Sequence, residues 1–259
     1  MDARPTVSML GWGLNEEVNL PRYVERAEQF LLEVSREFEL ILVDDGSTDR
    51  TWEIACELQA TRPWMRLIRN DRNRGAAFSA RRAIAAATKQ YLFWQTLDWA
   101  YDLTELGRAF PLLREYDVLQ GVRSNALTLS GVLRGRSDNV YKGLISFLNY
   151  WLVRLLFRLP LNDYQNVTVY PSRLVQTLHF ETDSSFMNPE LLLKVWWQGA
   201  SFKEVPVVFR KRQHGVAKGT RPLSIVRSIR DIWWFWFLWV ICGRRPFKGQ
   251  GRVASVDPA

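Results

Sequence analysis

The 259-residue sequence contains little cysteine and little histidine, with two residues of each. Cys56 and Cys242 are too few for a disulfide framework or a cysteine-based zinc site, and they suit a reducing compartment. The first residues also lack the basic start and apolar core of a secretory signal peptide. The sequence therefore predicts a cytoplasmic protein rather than a secreted one.

The sequence has no apolar run of the roughly 20 residues that a membrane-spanning helix needs. Its Trp-rich run at residues 232–242 would extend only ~16 Å as a helix. Arginines flank this run, and tryptophan favours the headgroup level of a bilayer. We expect the run to lie on a membrane surface; the alternatives are a core helix or a contact with an oligomer or a membrane-spanning partner. Nucleic acid is disfavoured, because its binding surfaces interleave aromatic with basic residues.

The glycine-rich signatures of dinucleotide-binding folds and of P-loops are also absent. Hydrophobic residues make up 47% of the chain and charged residues 24%, which excludes a disordered or fibrous protein. The net charge of +8 is concentrated near the C-terminus, since residues 201–259 hold 12 Lys/Arg and 3 Asp/Glu. This asymmetry predicts an anionic partner, either a membrane or a nucleic acid.

Strands and helices are predicted to alternate along the first hundred residues. We predict strands at 5–10, 39–43, 65–68 and 91–95, separated by helices at 20–37, after residue 49 and at 76–88. Further predicted elements are an apolar helix at 138–159, strands at 167–170 and 205–209, and a helix at 188–198. This order indicates an α/β fold with ligands at the carboxyl ends of parallel strands. The predicted organisation is a domain at 1–221, an interfacial helix at 222–248 and a disordered tail at 249–259.

The stretch from Leu42 to Asp49 delivers two carboxylates, Asp44 and Asp45, into a Gly-Ser turn. Carboxylates can accept hydrogen bonds from a base N–H or a ribose hydroxyl, but they repel phosphate. The alternative is an Asp-rich turn in which Ser47, Thr48 or Asp49 caps the next helix. Three other polar loops also follow strands, and we expect them to converge on the same sheet edge; they are 15–17, 70–77 with Gly75, and 96–98.

Together these motifs resemble family 2 glycosyltransferases with the GT-A fold. The matching order is Asn-Glu-Glu at 15–17, Val-Asp-Asp-Gly-Ser-Thr-Asp at 43–49, Asn-Arg-Gly at 73–75, and an acidic motif after a strand. The chain most resembles the polyprenol-phosphate branch, similar to dolichol-phosphate mannose synthase, over roughly residues 5–220. The features of that branch are Gly-Val-Arg-Ser at 121–124, the run 142–146, and Glu-Val-Pro-Val at 204–207 followed by basic residues 210–218.

The resemblance implies roles for individual residues. Asp45, with Asp44 beside it, would hold the nucleoside of a nucleotide sugar, and Asn15, Glu16 and Gly75 would line the same pocket. Asp98 matches the second Asp of the family's Asp-x-Asp motif and would bind Mg²⁺ or Mn²⁺. The residues implied at the diphosphate or the acceptor phosphate are Arg123, Lys142, Ser146, Arg212 and Lys218.

The sequence departs from the family pattern at the metal site. Thr96 stands where the family has its first Asp, and Ala100 stands where some members have a Gln ligand. Mg²⁺ prefers carboxylate oxygens. We therefore expect a site formed by Asp98 and the diphosphate to bind Mg²⁺ more weakly than the family's usual site does. Asp102 is a substitute ligand if the loop shifts. A site that uses Arg and Lys in place of metal is the alternative.

The resemblance implies inverting transfer of a hexose to a polyprenyl phosphate at the cytoplasmic membrane face. Such a phosphate is largely ionised at pH 7, with a second pKa of about 6, and requires no general base. Transfer to a saccharide or glycolipid hydroxyl is the alternative and would need a base, for which Glu190, Asp163 and Asp183 are candidates. A catalytically silent nucleotide-sugar-binding protein is a further alternative.

We also make predictions for the two histidines and for one apolar helix. His179 is expected to be structural, whereas His214 lies in the basic loop and is a candidate phosphate contact. The helix at 144–159 has a broad apolar face with Arg154 and Arg158 beside it. This face is expected either to pack in the core or to dock on the membrane beside the acceptor site.

Overall fold

The computed structural model describes residues 3–123, 140–209 and 222–254, without the side chains of 140–146 and 222–224. The strands in these ranges form one mixed sheet in the order β3-β2-β1-β4-β6-β5-β7-β8. They are β1 (Thr6–Gly13), β2 (Glu37–Asp44), β3 (Met65–Arg69), β4 (Tyr91–Trp94), β5 (Val118–Val122), β6 (Thr168–Pro171), β7 (Ser201–Pro206) and β8 (Arg252–Ala254).

Helices connect most of these strands. They are α1 (Leu20–Val34), α2 (Thr51–Ala60), α3 (Ala76–Ala86), α4 (Thr104–Ala109), α5 (Val140–Phe157), the single turn α6 (Ser172–Val175), α7 (Met187–Trp197) and α8 (Pro222–Trp236). A 3₁₀ turn, Phe110–Arg114, follows α4, and a π-helical turn, Phe237–Ile241, follows α8. Within the described ranges, no helix is both long enough and apolar enough to cross a bilayer.

The sheet is covered by helices on both faces because both faces of its strands are apolar. Alternate residues of a strand point to opposite faces. Leu10 and Val43 therefore face a core shared with α3, α5, α7 and α8, whereas Met9 and Leu42 face a core shared with α1, α2 and α4. This two-sided burial explains why β2 reads as a continuous apolar run.

The first four strands are parallel, as the sequence predicts. β1 lies between β2 and β4, so the loops after these three strands open at the same sheet edge. β6 then runs antiparallel between β4 and β5, which makes the sheet mixed. β5 was not predicted, although its last residues belong to the Gly-Val-Arg-Ser motif.

Several predicted element boundaries are shifted in the structure. β1 continues to Gly13 because it pairs with β2 as far as Asp44. The helix predicted at 20–37 ends at Val34, since β2 already begins at Glu37. The strand predicted at 205–209 is found at Ser201–Pro206, where it pairs with β5. The apolar helix predicted at 138–159 is α5.

The prediction of a disordered tail from residue 249 is wrong for Arg252–Ala254, which form β8 at the edge of β7. Gly251 makes this approach feasible, because a Cβ there would lie 2.4 Å from the Ala200 carbonyl oxygen. The Arg252 N–H donates to the same oxygen at 3.2 Å. The exposed edge of β7 thus finds hydrogen-bond partners in the segment that follows the Trp-rich helix.

Candidate active site at the carboxyl ends of the parallel strands

The loops after β1 and β2 are joined by hydrogen bonds in both directions. The Asn15 N–H donates to Ser47 Oγ at 2.9 Å, and the Thr48 N–H donates to Asn15 Oδ1 at 2.9 Å. The Glu16 N–H donates to Thr51 Oγ1 at 2.7 Å. Asn15 has a positive φ of 58°, a conformation that asparagine tolerates better than most residues. Asn15 therefore fixes the shape of the Gly46–Thr48 turn, and Glu16 links the same loop to the start of α2.

Asp44 is directed toward β3. Its carboxylate forms an ion pair with Arg69 at 3.1 Å and accepts the Ser47 N–H at 3.0 Å. The Arg69 guanidinium also lies over the Trp52 ring at 5.2 Å. Asp44 thus stabilises the end of β2 from the α2 side of the sheet.

Asp45 is the residue that connects β2 to the loop before α3. One carboxylate oxygen accepts Asn70 Nδ2 at 2.7 Å and the Arg74 N–H at 2.9 Å. The other oxygen accepts the Gly75 N–H at 2.9 Å. A carboxylate offers about four lone-pair positions, so this second oxygen has the capacity to accept a further N–H from a nucleoside base.

Glycine is required at the turn that carries Asp45. Gly46 has a φ of +76°, and a Cβ at this position would lie 2.5 Å from the backbone of Arg72. The backbone of the 70–75 loop therefore packs directly against the Gly46 turn. This close approach, with the bonds to Asp45, fixes the 70–75 loop against the end of β2.

Asp98 lies in a tight turn after β4. The Trp99 N–H donates to the Thr96 carbonyl at 2.8 Å, and the Ala100 N–H donates to Thr96 Oγ1 at 3.2 Å. Trp99 has a φ of +52° and its ring packs edge-on against Tyr23. Thr96, which replaces the family's first Asp, thus has a structural role in closing the turn that presents Asp98.

The other positions considered as metal ligands near Asp98 do not supply a free carboxylate. Asp102 accepts the Thr104 N–H at 3.1 Å and Thr104 Oγ1 at 2.7 Å, so it is bonded to the first residue of α4. Ala100 is buried and apolar. Among the described residues, no group of three His, Cys, Asp or Glu side chains could hold a metal by itself. Asp98 alone still fits a Mg²⁺ site, because this ion is commonly bound by one or two carboxylates together with substrate phosphates.

Arg123 and Asp163 form a buried ion pair. Arg123 Nε and Nη2 donate to the two Asp163 oxygens at 2.6 and 2.7 Å. Burial by itself would raise the pKa of the Asp163 carboxyl, but the Arg123 charge and hydrogen bonds outweigh burial and lower this pKa. The same partner raises the pKa of Arg123 despite its burial. Asp163 is therefore a weak base, and Arg123 holds the 163–166 turn at the carboxyl end of β5.

The Glu-Val-Pro-Val segment predicted from the family resemblance contributes to the same region. Glu204, on β7, accepts both the backbone N–H and the side-chain Nδ2 of Asn162 at 2.6 Å. Burial raises the pKa of the Glu204 carboxyl, with the bonds to Asn162 opposing the shift. Glu204 thus fixes the residue immediately before Asp163 and supports the Arg123–Asp163 pair.

The two other candidate bases are also engaged. Glu190 is fully buried and accepts Lys194 Nζ at 2.7 Å and the Glu181 N–H at 2.8 Å. Burial raises the pKa of the Glu190 carboxyl, although Lys194 opposes this effect. Asp183 is exposed and forms an ion pair with Arg81 of α3. Glu190 therefore stabilises the 179–184 loop from the protein interior.

An aromatic residue that sequence reasoning missed lies at the carboxyl end of β1. Trp12, near the end of β1, packs against Trp94 with ring centroids 5.8 Å apart, and Trp94 stacks on Tyr170. Trp12 also packs against the cluster of Ala77 and Met187 at the first turns of α3 and α7. The available signal was an aromatic side chain between two glycines at a strand end.

Some predicted residues cannot be placed. Arg212, Lys218 and His214 lie outside the described residues. Lys142 and Ser146 lie on α5, in the part whose side chains are not described. His179 contributes its backbone carbonyl, which accepts Lys194 Nζ at 2.5 Å, to the interior cluster around Glu190.

Two relatives are similar to this chain in sequence. The sequence is 28% identical over 225 residues to the glycosyltransferase AglD of Haloferax volcanii, which covers 82% of this chain and 34% of that protein. It is 28% identical over 211 residues to an undecaprenyl-phosphate 4-deoxy-4-formamido-L-arabinose transferase of Pectobacterium carotovorum, covering 79% of this chain and 59% of that protein. The chain thus spans about a third to three fifths of the length of these relatives.

A solved structure agrees in fold. Glucosyl-3-phosphoglycerate synthase from Mycobacterium tuberculosis, in complex with Mg²⁺ and UDP, matches with a TM-score of 0.59 at 16% identity, over 88% of this chain and 79% of that one. The family model for glycosyl transferase family 2 matches residues 14–171, which include the loops around Asn15, Asp45, Gly75 and Asp98. The match extends over more than half of the chain. The chain therefore belongs to glycosyl transferase family 2 and has the α/β fold, GT-A, that its motifs predict.

Proposed function

We propose that this protein transfers a hexose from a UDP- or GDP-sugar to a polyprenyl phosphate, with inversion at the anomeric carbon. The observation that carries the proposal is that Asp45 and Asp98 follow the two strands on either side of β1. These residues follow β2 and β4, which flank β1 and are separated by two strand spacings, roughly 10 Å. A nucleotide bound to Asp45 through its base would extend across the end of β1 and bring its diphosphate toward Asp98.

The donor half of the site is built for a nucleoside at one end and for a phosphate-bound cation at the other. Asp45 would accept a base N–H, with Asn15, Glu16 and Gly75 lining the pocket. Asp98 would hold Mg²⁺ or Mn²⁺ together with the diphosphate. When bound, the cation would neutralise the negative charge that develops on the leaving nucleoside diphosphate.

The acceptor is inferred from the state of the candidate bases. Asp163 has a lowered pKa and is bound by Arg123, and Glu190 is fully buried against Lys194. Neither of these two groups is well suited to remove a proton from a sugar hydroxyl, and the third candidate, Asp183, is exposed and paired with Arg81. A lipid phosphate needs no such base, because it is already largely ionised at neutral pH. The undecaprenyl-phosphate transferase relative is consistent with this acceptor.

The acceptor phosphate itself requires cationic or hydroxyl partners. Lys142, Ser146, Arg212 and Lys218 remain our proposed contacts for it. Arg123 is proposed to act mainly as a positioning residue, because two of its nitrogens are committed to Asp163. Since a polyprenyl phosphate resides in a bilayer and nucleotide sugars are cytoplasmic, we place the reaction at the cytoplasmic face of a membrane.

The proposal is tested by incubating the protein with polyprenyl phosphate and a panel of UDP- and GDP-sugars, with and without Mg²⁺ or Mn²⁺. We expect a glycolipid product that disappears in Asp98→Ala. Asp102→Ala tests the substitute ligand: we expect product to remain, because this carboxylate is bonded to Thr104 at the start of α4, and loss of product in this variant alone would move the metal to Asp102. Nucleotide release only with a saccharide acceptor would instead indicate a hydroxyl-directed transferase. Nucleotide binding without turnover on any acceptor would indicate a silent binding protein.

A further inference from the structure

The Trp-rich segment exposes a row of large apolar side chains. Trp233 and Trp234 of α8 are 48% and 58% exposed, and Phe237 and Ile241 of the π-helical turn are 49% and 57% exposed. Water-exposed apolar side chains that cluster in this way mark an interaction surface rather than ordinary surface composition.

The opposite face of the same segment is anchored in the protein core. Phe235 stacks on Trp239 with centroids 4.5 Å apart, and Lys194 Nζ lies 5.3 Å from the centre of the Trp239 ring. Asp231 accepts Thr182 Oγ1 at 2.6 Å. The exposed row therefore belongs to a helix whose orientation is fixed, and it does not result from an undocked segment.

A neighbouring helix carries a second exposed row. Leu148, Trp151 and Leu155 of α5 are exposed, and their spacing of three and four residues places them on one side of the helix. The other side of α5 is buried, and its Phe157 contacts Trp239, with ring centroids 6.2 Å apart. Because α5 and α8 pack against each other, the two rows lie on adjacent helices.

Arginines surround these rows. Four exposed arginines bracket the Trp-rich segment, Arg227 and Arg230 on α8 and Arg244 and Arg245 just after the π-helical turn. Basic residues next to an anionic bilayer are attracted to its surface. A second copy of this chain docking through the same face would bring these like charges together, so the charge pattern favours an anionic lipid surface.

The path of the chain limits how deeply this face can insert. After Ile241 the chain returns to the protein, where Arg252–Ala254 pair with β7 as β8. Both ends of the Trp-rich segment are thus attached to the same domain, α8 through Asp231 and the later residues through the sheet. The segment can lie in the plane of a headgroup layer.

We propose that the exposed rows of α5 and α8, with the following π-helical turn, form one surface that docks in plane on a bilayer containing anionic lipid. This inference rests on the proposed function in that the acceptor is a membrane lipid, and it adds which residues meet the bilayer and in what orientation.

The test measures sedimentation of the full chain with vesicles of phosphatidylcholine alone or with phosphatidylglycerol. We expect binding to the anionic vesicles, weakened at least tenfold in W233S/W234S. The control is V18S/L32S, which removes two side chains that are 70% and 58% exposed elsewhere on the protein. Equal binding by the two double variants would overturn the proposal.

Three further measurements keep the test decisive. In the wild-type protein, brominated lipids should quench tryptophan fluorescence most strongly at shallow bromine positions; quenching only at the bilayer centre would contradict in-plane docking. Light scattering that shows a dimer dispersed by W233S/W234S, with vesicle binding unchanged, would identify a second copy as the occupant and also overturn the proposal. Nucleotide binding, measured without vesicles, should be unchanged in W233S/W234S, which separates failure of docking from failure of the proposed function.

Discussion

Replacing Asp45 with asparagine tests whether this carboxylate organises the nucleotide pocket. Its oxygens accept three protein donors, Asn70 Nδ2, the Arg74 N–H and the Gly75 N–H, at 2.7, 2.9 and 2.9 Å. An asparagine can retain one oxygen, so its NH₂ group would face at least one of these donors. A hydrogen bond to a charged group contributes about 1.5–3 kcal/mol, and the remaining bonds lose their charge assistance.

For Asp45→Asn we therefore expect the free energy of unfolding to fall by about 2–4 kcal/mol. The 70–75 loop would also lose its fixed position, and the base would lose its acceptor. We expect the Kd for UDP or GDP to rise at least tenfold, which corresponds to about 1.4 kcal/mol. Urea unfolding and isothermal titration calorimetry measure the two effects separately.

Asp49→Asn is the matched control for this experiment. Asp49 also accepts three donors in the same turn, the Thr51 N–H and Oγ1 at 3.0 and 2.6 Å and the Glu17 N–H at 3.3 Å, but none from the 70–75 loop. We expect it to lower stability while changing the nucleotide Kd less than threefold. If both variants weaken nucleotide binding equally, or if Asp45→Asn leaves stability and binding unchanged, the reasoning about Asp45 is refuted.

Two other predictions concern the remaining charged groups. Asp163→Asn should lower the free energy of unfolding by about 3–5 kcal/mol at pH 7, because it leaves the Arg123 charge buried without its partner. The pKa of Asp163 is lowered in the folded state, so its contribution is present above the unfolded value of about 3.9 and is lost as pH falls through the lower folded value. Wild-type urea unfolding should therefore lose stability more steeply than the variant as pH falls below about 4, and parallel profiles would contradict this assignment. Thr96→Asp should lower the Mg²⁺ concentration needed for half-maximal tightening of nucleotide binding several-fold, since it adds a second carboxylate near Asp98; an unchanged concentration would argue against a metal at this turn.

The sequence by itself determined the first four strands in their order along the chain. It also determined the sheet edge at which the loops after these strands meet. Alternating apolar strands and amphipathic helices are local patterns, and parallel strands necessarily present their carboxyl ends together. The family motifs at 43–49 and 73–75 could be recognised for the same reason, because each is contiguous in the chain. Residues Asn15, Asp45, Gly75 and Asp98 were predicted on this basis. The structure bonds Gly75 to Asp45 and Asn15 to Ser47, two residues further along the same turn.

The tertiary structure decided which charged groups are free to take part in chemistry. Arg123 and Asp163 are 40 residues apart, and only the pairing of β5 with β6 brings them together. From the sequence, Glu190 was a candidate base. It is buried in the structure, because α7 packs against the loop at 179–184. Long-range packing of this kind leaves no periodic signal in the sequence.

The same distinction applies to the C-terminal region. Its composition was sufficient to predict an apolar, basic segment too short to cross a bilayer. Which tryptophans face the core and which face outward was decided by contacts with α5 and α7, as for Trp239 and Trp234. The return of the chain as β8 was decided by the free edge of β7. Local patterns fix what an element is, whereas the partners of its side chains depend on segments distant in the chain.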